Sequence, residues 1–104
     1  MPNRNSITVD HVKSVAAVVV SHLNIQSDRN FKPLSARNFD LIKHALDKGY
    51  AQEDLNAIIN HKCVQWQHID SMWLYIRPST LFSISNVKKY HTQSLLSLHP
   101  QNAE

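Results

Sequence analysis

Trp66-Gln67-His68-Ile69-Asp70-Ser71-Met72-Trp73-Leu74-Tyr75-Ile76-Arg77-Pro78-Ser79-Thr80-Leu81-Phe82 is the stretch on which the fold turns. It holds both tryptophans, one of three tyrosines and one of three phenylalanines in a chain of 104 residues. Aromatic side chains bury the most area each, so a small domain tends to close around them. The run has no sustained helical period and Pro78 interrupts it, so it reads as a crossover of short turns between longer helices. Asp70 is placed to cap a turn bearing Met72, Trp73 and Tyr75, and Pro78-Ser79-Thr80 opens a second turn that sends Leu81 and Phe82 inward. Met72, Trp73 and Leu74 are consecutive and cannot all point inward, which makes Trp73 the aromatic expected at the surface.

On the N-terminal side, Leu55, Ile58, Ile59, Cys63 and Trp66 form one helical stripe that starts beside Glu53 and Asp54, acids suited to a first turn. A helix from the cap Ser35 to about Lys48 precedes it, with Phe39, Ile42, Ala45 and Leu46 inside. Arg37, Asp40, Lys43, His44, Asp47 and Lys48 face mostly outward, with Asp40–His44 and Lys43–Asp47 at i,i+4 spacing. Gly49, the sole glycine, stands where a helix end favours a positive φ. The first helix, capped by Thr8 or Asp10, carries Val12, Val15, Ala16, Val19 and Leu23 on its inner face. Ile25 to Leu34 is a connector with a turn at Asp28-Arg29-Asn30 and an apolar anchor at Phe31. A last helix spans Ser85 to Leu98, with Val87, Tyr90, Leu95 and Leu96 as its apolar positions, and Pro100 ends it. The expectation is one all-α domain over residues 8–98, a compact bundle of about four main helices with a short aromatic-rich crossover, between flexible ends at 1–7 and 99–104.

One glycine and four prolines favour helices over a sheet with many tight turns. The net charge of +3 is mildly basic, which permits nucleic acid without demanding it. A lone cysteine, Cys63, fits a reducing compartment. The apolar run Val15 to Val20 is far too short to span a bilayer, so the cytoplasm is the expected location.

The chain offers little for catalysis. His61, Cys63 and His68 are its densest ligand cluster, yet on a helix positions 61 and 63 point about 200° apart and cannot share one ion. Cys63 lies on the apolar stripe, and a single glycine rules out a glycine-rich phosphate loop. No enzyme activity, metal or cofactor is expected. Among the basic residues, Arg29, Lys32 and Arg37 surround Phe31, Arg77 lies in the crossover, and Lys88-Lys89 opens the last helix. Two readings stand side by side: a converging phosphate-facing patch, or solvated charges interleaved with Asp28, Asp40, Asp47 and Asp70. The interleaving favours the second. Lys62 sits beside the core stripe, placed to snorkel or to stack on Trp66, and Arg77 is placed to bond carbonyls of the crossover. Trp66, Trp73, Tyr75 and Phe82 read as core more than as a base-stacking platform.

The order of features resembles the conserved C-terminal domain of phage replication proteins of the replisome-organiser or primosome-like kind. The resemblance runs from about Val18 to Tyr90 through Val20-Ser21-His22-Leu23-Asn24, Asn30-Phe31-Lys32, Leu41-Ile42, Leu46, Gly49-Tyr50, Asp54, Ile58-Ile59, Lys62 and Trp66. Its most specific part is Tyr75-Ile76-Arg77-Pro78-Ser79-Thr80-Leu81-Phe82. In that family a Phe stands near the Val87 position and a Leu follows the tyrosine, where this chain has His91. Family members carry the segment after a DNA-binding winged-helix or similar region, whereas this chain starts at Met1. The resemblance carries over no catalytic residues. It implies a phage or prophage module in a bacterial host that binds a replication protein, a helicase or its loader, with DNA as a co-ligand. The short length adds the expectation of a free-standing competitor for that partner. The rival expectation is a small basic DNA-binding protein or transcriptional repressor. Candidate contacts for either role are Arg29, Lys32, Arg37, Lys62, Trp73, Arg77, Lys88 and Lys89. Convergence of the cations on one face would favour DNA, and an exposed apolar patch near Trp73 would favour a protein.

Overall fold

A computed structural model of the chain describes residues 8–98 and contains four long helices and two short ones. They are α1 (Val9–Ser27), α2 (Ala36–Asp47), α3 (Gln52–Trp66), α4 (Asp70–Trp73), α5 (Pro78–Leu81) and α6 (Val87–Leu98). No strand occurs among the described residues, so the molecule is all-α. The expected flexible ends, 1–7 and 99–104, lie outside them.

Side chains and a single glycine set the helix ends. The Thr8 hydroxyl accepts from the His11 N–H at 3.0 Å, so Thr8 caps α1 and Asp10 lies inside its first turn. The helix runs to Ser27, into the expected connector. Ser27 is buried and its hydroxyl donates to the Leu23 carbonyl at 2.6 Å, which lets a polar residue extend the inner face. Asp28 then turns left-handed at φ 57° and ends the helix. Ser35 caps α2, accepting from the Asn38 N–H. At the other end Gly49 takes φ +100°, the Tyr50 N–H donates to the Ala45 carbonyl at 3.1 Å, and the Gly49 N–H donates to that of Leu46 at 3.0 Å. That pair of bonds closes a helix through a left-handed residue. Before α3 the Asp54 carboxylate accepts from the Ala51 N–H at 2.7 Å.

Asp70 does not cap α4. Ile69 holds the flanking position, its carbonyl accepting from the N–H groups of Met72 and Trp73, and Asp70 is the first helical residue. The last helix begins at Val87, two residues later than expected, after a turn in which the Ser83 carbonyl accepts from Asn86 and Val87. Its inner row is Val87, Tyr90 and Ser94. Leu95 and Leu96, expected on the apolar face, are turned outward by that row and are exposed.

Helix α3 is central, packed against α1 on one side and α6 on the other, while α2 lies on α1 and α5 on α2. Its Leu55, Ile58, Ile59, Cys63 and Trp66 meet Val12, Val15, Ala16, Val19 and Leu23 of α1 and Val87 and Tyr90 of α6 in one core. The crossover contributes Ile76, Leu81 and Phe82, all fully buried. Trp66 meets Tyr90 edge-on, ring centres 5.9 Å apart. His91, the departure from the resembled pattern, joins α6 to α3 through Asp54 at 3.0 Å and meets the Tyr50 ring edge-on. Of the two i,i+4 pairs expected on α2, Lys43–Asp47 closes at 2.9 Å. Asp40 and His44 do not pair, and the buried His44 Nε2 has no hydrogen-bond partner.

Candidate functional site

The connector between α1 and α2 is held to its neighbours by three side chains. Asn24 clamps Phe31 from both sides, its amide donating to the Phe31 carbonyl at 2.9 Å and its oxygen accepting from the Phe31 N–H at 2.8 Å. The Asn38 amide donates to the Lys32 carbonyl at 2.7 Å. The Arg29 guanidinium reaches across to the crossover and donates to the Trp73 carbonyl at 2.9 Å. The connector is thereby fixed opposite the start of α5, where Arg77 is extended and Pro78 opens the helix. Between them lies a cleft of about 330 Å³ lined by Phe31, Lys32, Ser35, Arg37, Asn38, Arg77, Pro78 and Ser79. Three cations face this cleft and no carboxylate lines it.

The remaining sequence candidates fall elsewhere. Arg29 is half-buried and bonded to Trp73, doing for the crossover what was expected of Arg77. The Arg77 Nε instead donates to the Thr80 hydroxyl at 2.9 Å, and its guanidinium stands 5.3 Å from the Tyr75 ring centre. Trp73 is half-buried against the core, and its neighbours Leu74, 66% exposed, and Tyr75, 44% exposed, take the outward places expected of it. The short α4 turn allows one of these three residues inside, and the largest side chain gains most from burial. Lys88 and Lys89 are exposed on α6, with Lys89 Nζ 5.2 Å from the Tyr90 ring centre.

Lys62 is corrected outright as a surface contact. It is 2% exposed, and its ammonium lies 4.2 Å from the Tyr90 ring centre and 4.9 Å from that of Trp66. It donates to the side-chain oxygens of Gln65, at 2.7 Å, and Gln93. Burial pulls its pKa down, and Lys89 nearby adds to the effect. The stack on Trp66 forms and the ammonium does not snorkel, because two glutamine oxygens and two ring faces replace water inside. His61, beside it, is also shifted down, by burial first and then by Lys62. Burial pushes the Cys63 thiol up, and a protonated, covered thiol is a poor nucleophile. Among the described residues no three His, Cys, Asp or Glu side chains come together as a ligand set.

A second surface was not singled out from the sequence. On α1, Val18 and Ile25 lie seven residues apart, 44% and 76% exposed, with His22 between them. His22 Nε2 meets the Asn60 side-chain oxygen on α3 at 2.6 Å, and Val64, one turn further along α3, is 68% exposed. Alongside runs a groove of about 470 Å³ lined by Glu53, Asn56, Ala57, Asn60, His61, Val64 and Ser94. The signal was available in part: Val18, Ile25 and Val64 are apolar residues that no inner stripe uses. The sequence could not show that two helices bring them together.

Residues 19–92 match the family model described as a conserved phage C-terminus. No curated protein and no solved structure matches the chain. No helix among the described residues is long and apolar enough to cross a membrane.

Proposed function

This chain belongs to the conserved phage C-terminus family, and from that premise we propose that it is a non-enzymatic phage or mobile-element module acting in DNA replication by binding a replication protein, a helicase or its loader, in the bacterial cytoplasm. The observation that carries the reading is the apolar surface shared by α1 and α3. Val18, Ile25 and Val64 stand exposed around the His22–Asn60 bond, beside the groove of Asn56, Ala57 and His61. Apolar side chains grouped on a rigid two-helix face and edged by amides are what a protein partner covers. The covered Cys63 thiol and the cleft without carboxylates support a binding role over catalysis.

The test is capture of the tagged chain from infected or lysogenic cells, followed by mass spectrometry, with Val64→Asp and Ile25→Asp as variants. Both positions are exposed, so the fold survives the change. A replication protein captured by the wild-type chain and lost with both variants supports the reading. Recovery of DNA alone, or a capture indifferent to both variants, refutes it. A second reading, direct DNA binding as in a small repressor, is favoured by the meeting of Lys32, Arg37 and Arg77 on one cleft.

A further inference from the structure

Arg77 borders two hollows. One is the basic cleft it shares with Lys32 and Arg37. The other, of about 350 Å³, is lined by Trp66, Met72, Tyr75, Asn86 and Tyr90 as well as Arg77. We propose that the two hollows together form a binding site for single-stranded nucleic acid, with a phosphate seated on Lys32, Arg37 and Arg77 and a base stacked on Tyr75. The inference goes beyond the protein-contact reading and stands on other residues than Val18, Ile25 and Val64.

Three features of the site lead to this ligand. The first is charge. The cleft gathers three cations, neither hollow has a carboxylate in its lining, and Lys32 and Arg37 have no carboxylate partner among the described residues. Such a site takes an anion, and a guanidinium fork suits the oxygens of a phosphate. The second is the ring. Tyr75 is 44% exposed, and the Arg77 guanidinium stands 5.3 Å from its ring centre. An exposed aromatic next to a phosphate-binding arginine is the pairing that holds a nucleobase together with its backbone. The third is adjacency. One side chain borders both hollows, so the phosphate and base positions lie next to each other, as they do within one strand. A duplex keeps its base faces stacked internally and leaves Tyr75 without a role. An acidic peptide would use the cations and also leave Tyr75 without a role.

The connector that presents Lys32 is pinned by Asn24 and Asn38, and Arg77 is anchored by Thr80, so the cations are positioned before the ligand arrives. The buried Lys62 ammonium, 4.2 Å from the Tyr90 ring centre and 4.9 Å from that of Trp66, adds positive charge behind two rings of the aromatic hollow.

The experiment is fluorescence anisotropy of the full chain against labelled oligothymidylate, a duplex of equal length and polyglutamate, each at low and at physiological salt. Oligothymidylate is expected to bind tightest, with an affinity that falls as salt rises. Lys32→Glu and Arg37→Glu are expected to abolish this binding, and Tyr75→Ala to weaken it roughly tenfold while barely changing the duplex. Lys88→Glu, outside both hollows, is expected to change the affinity least. Circular dichroism verifies that each variant keeps its helices; Arg77→Lys, which keeps the charge and loses the fork, stands in for any that does not and is expected to weaken binding. No binding of oligothymidylate at low salt overturns the proposal. So does equal affinity for duplex, tighter binding of polyglutamate, or indifference to Tyr75→Ala. Partner capture that survives Lys32→Glu but fails with Val64→Asp shows that the two surfaces act separately, and the failure of one leaves the other standing.

Discussion

Lys62 is the residue with the sharpest measurable consequence. Its ammonium is surrounded by two rings and two glutamine oxygens, and burial, with Lys89, holds its pKa below the ordinary 10.5. The unfolded chain binds that proton more tightly than the folded one. The free energy of unfolding therefore rises with pH until the unfolded value of 10.5 is passed. Cys63 and Tyr90 act the other way, because burial raises their pKa values above 9.0 and 10.0, and their contributions fade as pH climbs past those values. A Lys62→Met variant retains both groups, so comparing the two proteins isolates the lysine. Urea unfolding across a pH series is expected to show the wild type gaining stability relative to Lys62→Met as pH rises from neutral towards 10.0. A flat difference would mean that the ammonium is solvated. The thiol gives a second prediction: Cys63 is expected to react slowly with a disulfide reagent in the native protein and at once in denaturant, measured by absorbance.

Among the elements, the connector and the two ends of α2 carry the next predictions. Asn24 makes two hydrogen bonds to the backbone of Phe31, and nothing else described at that point replaces them. Asn24→Ala is expected to cost about 1–3 kcal/mol by denaturant unfolding, since it leaves half-buried backbone groups unsatisfied. Gly49 sits at φ +100° with open space where a Cβ would go, so Gly49→Ala meets no clash and pays only for the backbone conformation, about 1 kcal/mol in a thermal melt. The same elements show where the sequence was readable. Ser35, Gly49 and Pro78 are punctuation with a local cause, and they stand where their chemistry placed them. Ser27 and Ser94 are polar by composition yet buried, each satisfied by a carbonyl of its own helix, so a count of apolar positions missed both.

At the scale of the whole molecule, core and surface separate cleanly. Phe82 is fully buried at the end of the crossover, and Phe82→Ala is expected to cost about 3–5 kcal/mol, a large share of the stability of a domain this size. Calorimetry would show the fall in melting temperature, and partner capture and oligonucleotide binding would fail together. Val64→Asp and Arg37→Glu, both at exposed positions, are expected to leave the melting temperature within a few degrees while each removes one binding function. Of the candidate site, Lys32, Arg37 and Arg77 were legible one by one as cations near an aromatic run. Their meeting was not, because 40 positions separate Arg37 from Arg77 and only the packing of α5 on α2 closes that distance.

By itself the sequence determined what local chemistry can enforce: four long helices, the Ser35 cap and the glycine end of α2, the inner stripe of α3 and the inward turn of Leu81 and Phe82. Those features depend on side chains within a turn or two of one another. Tertiary structure decided which outward residues share a face, that Trp73 goes in while Leu74 and Tyr75 come out, and that Lys62 is buried rather than offered to a partner. The Trp66–Phe82 run is thus a core element on one side and the border of two hollows on the other. Contacts between residues far apart in the chain set that division, and no spacing within the run encodes it.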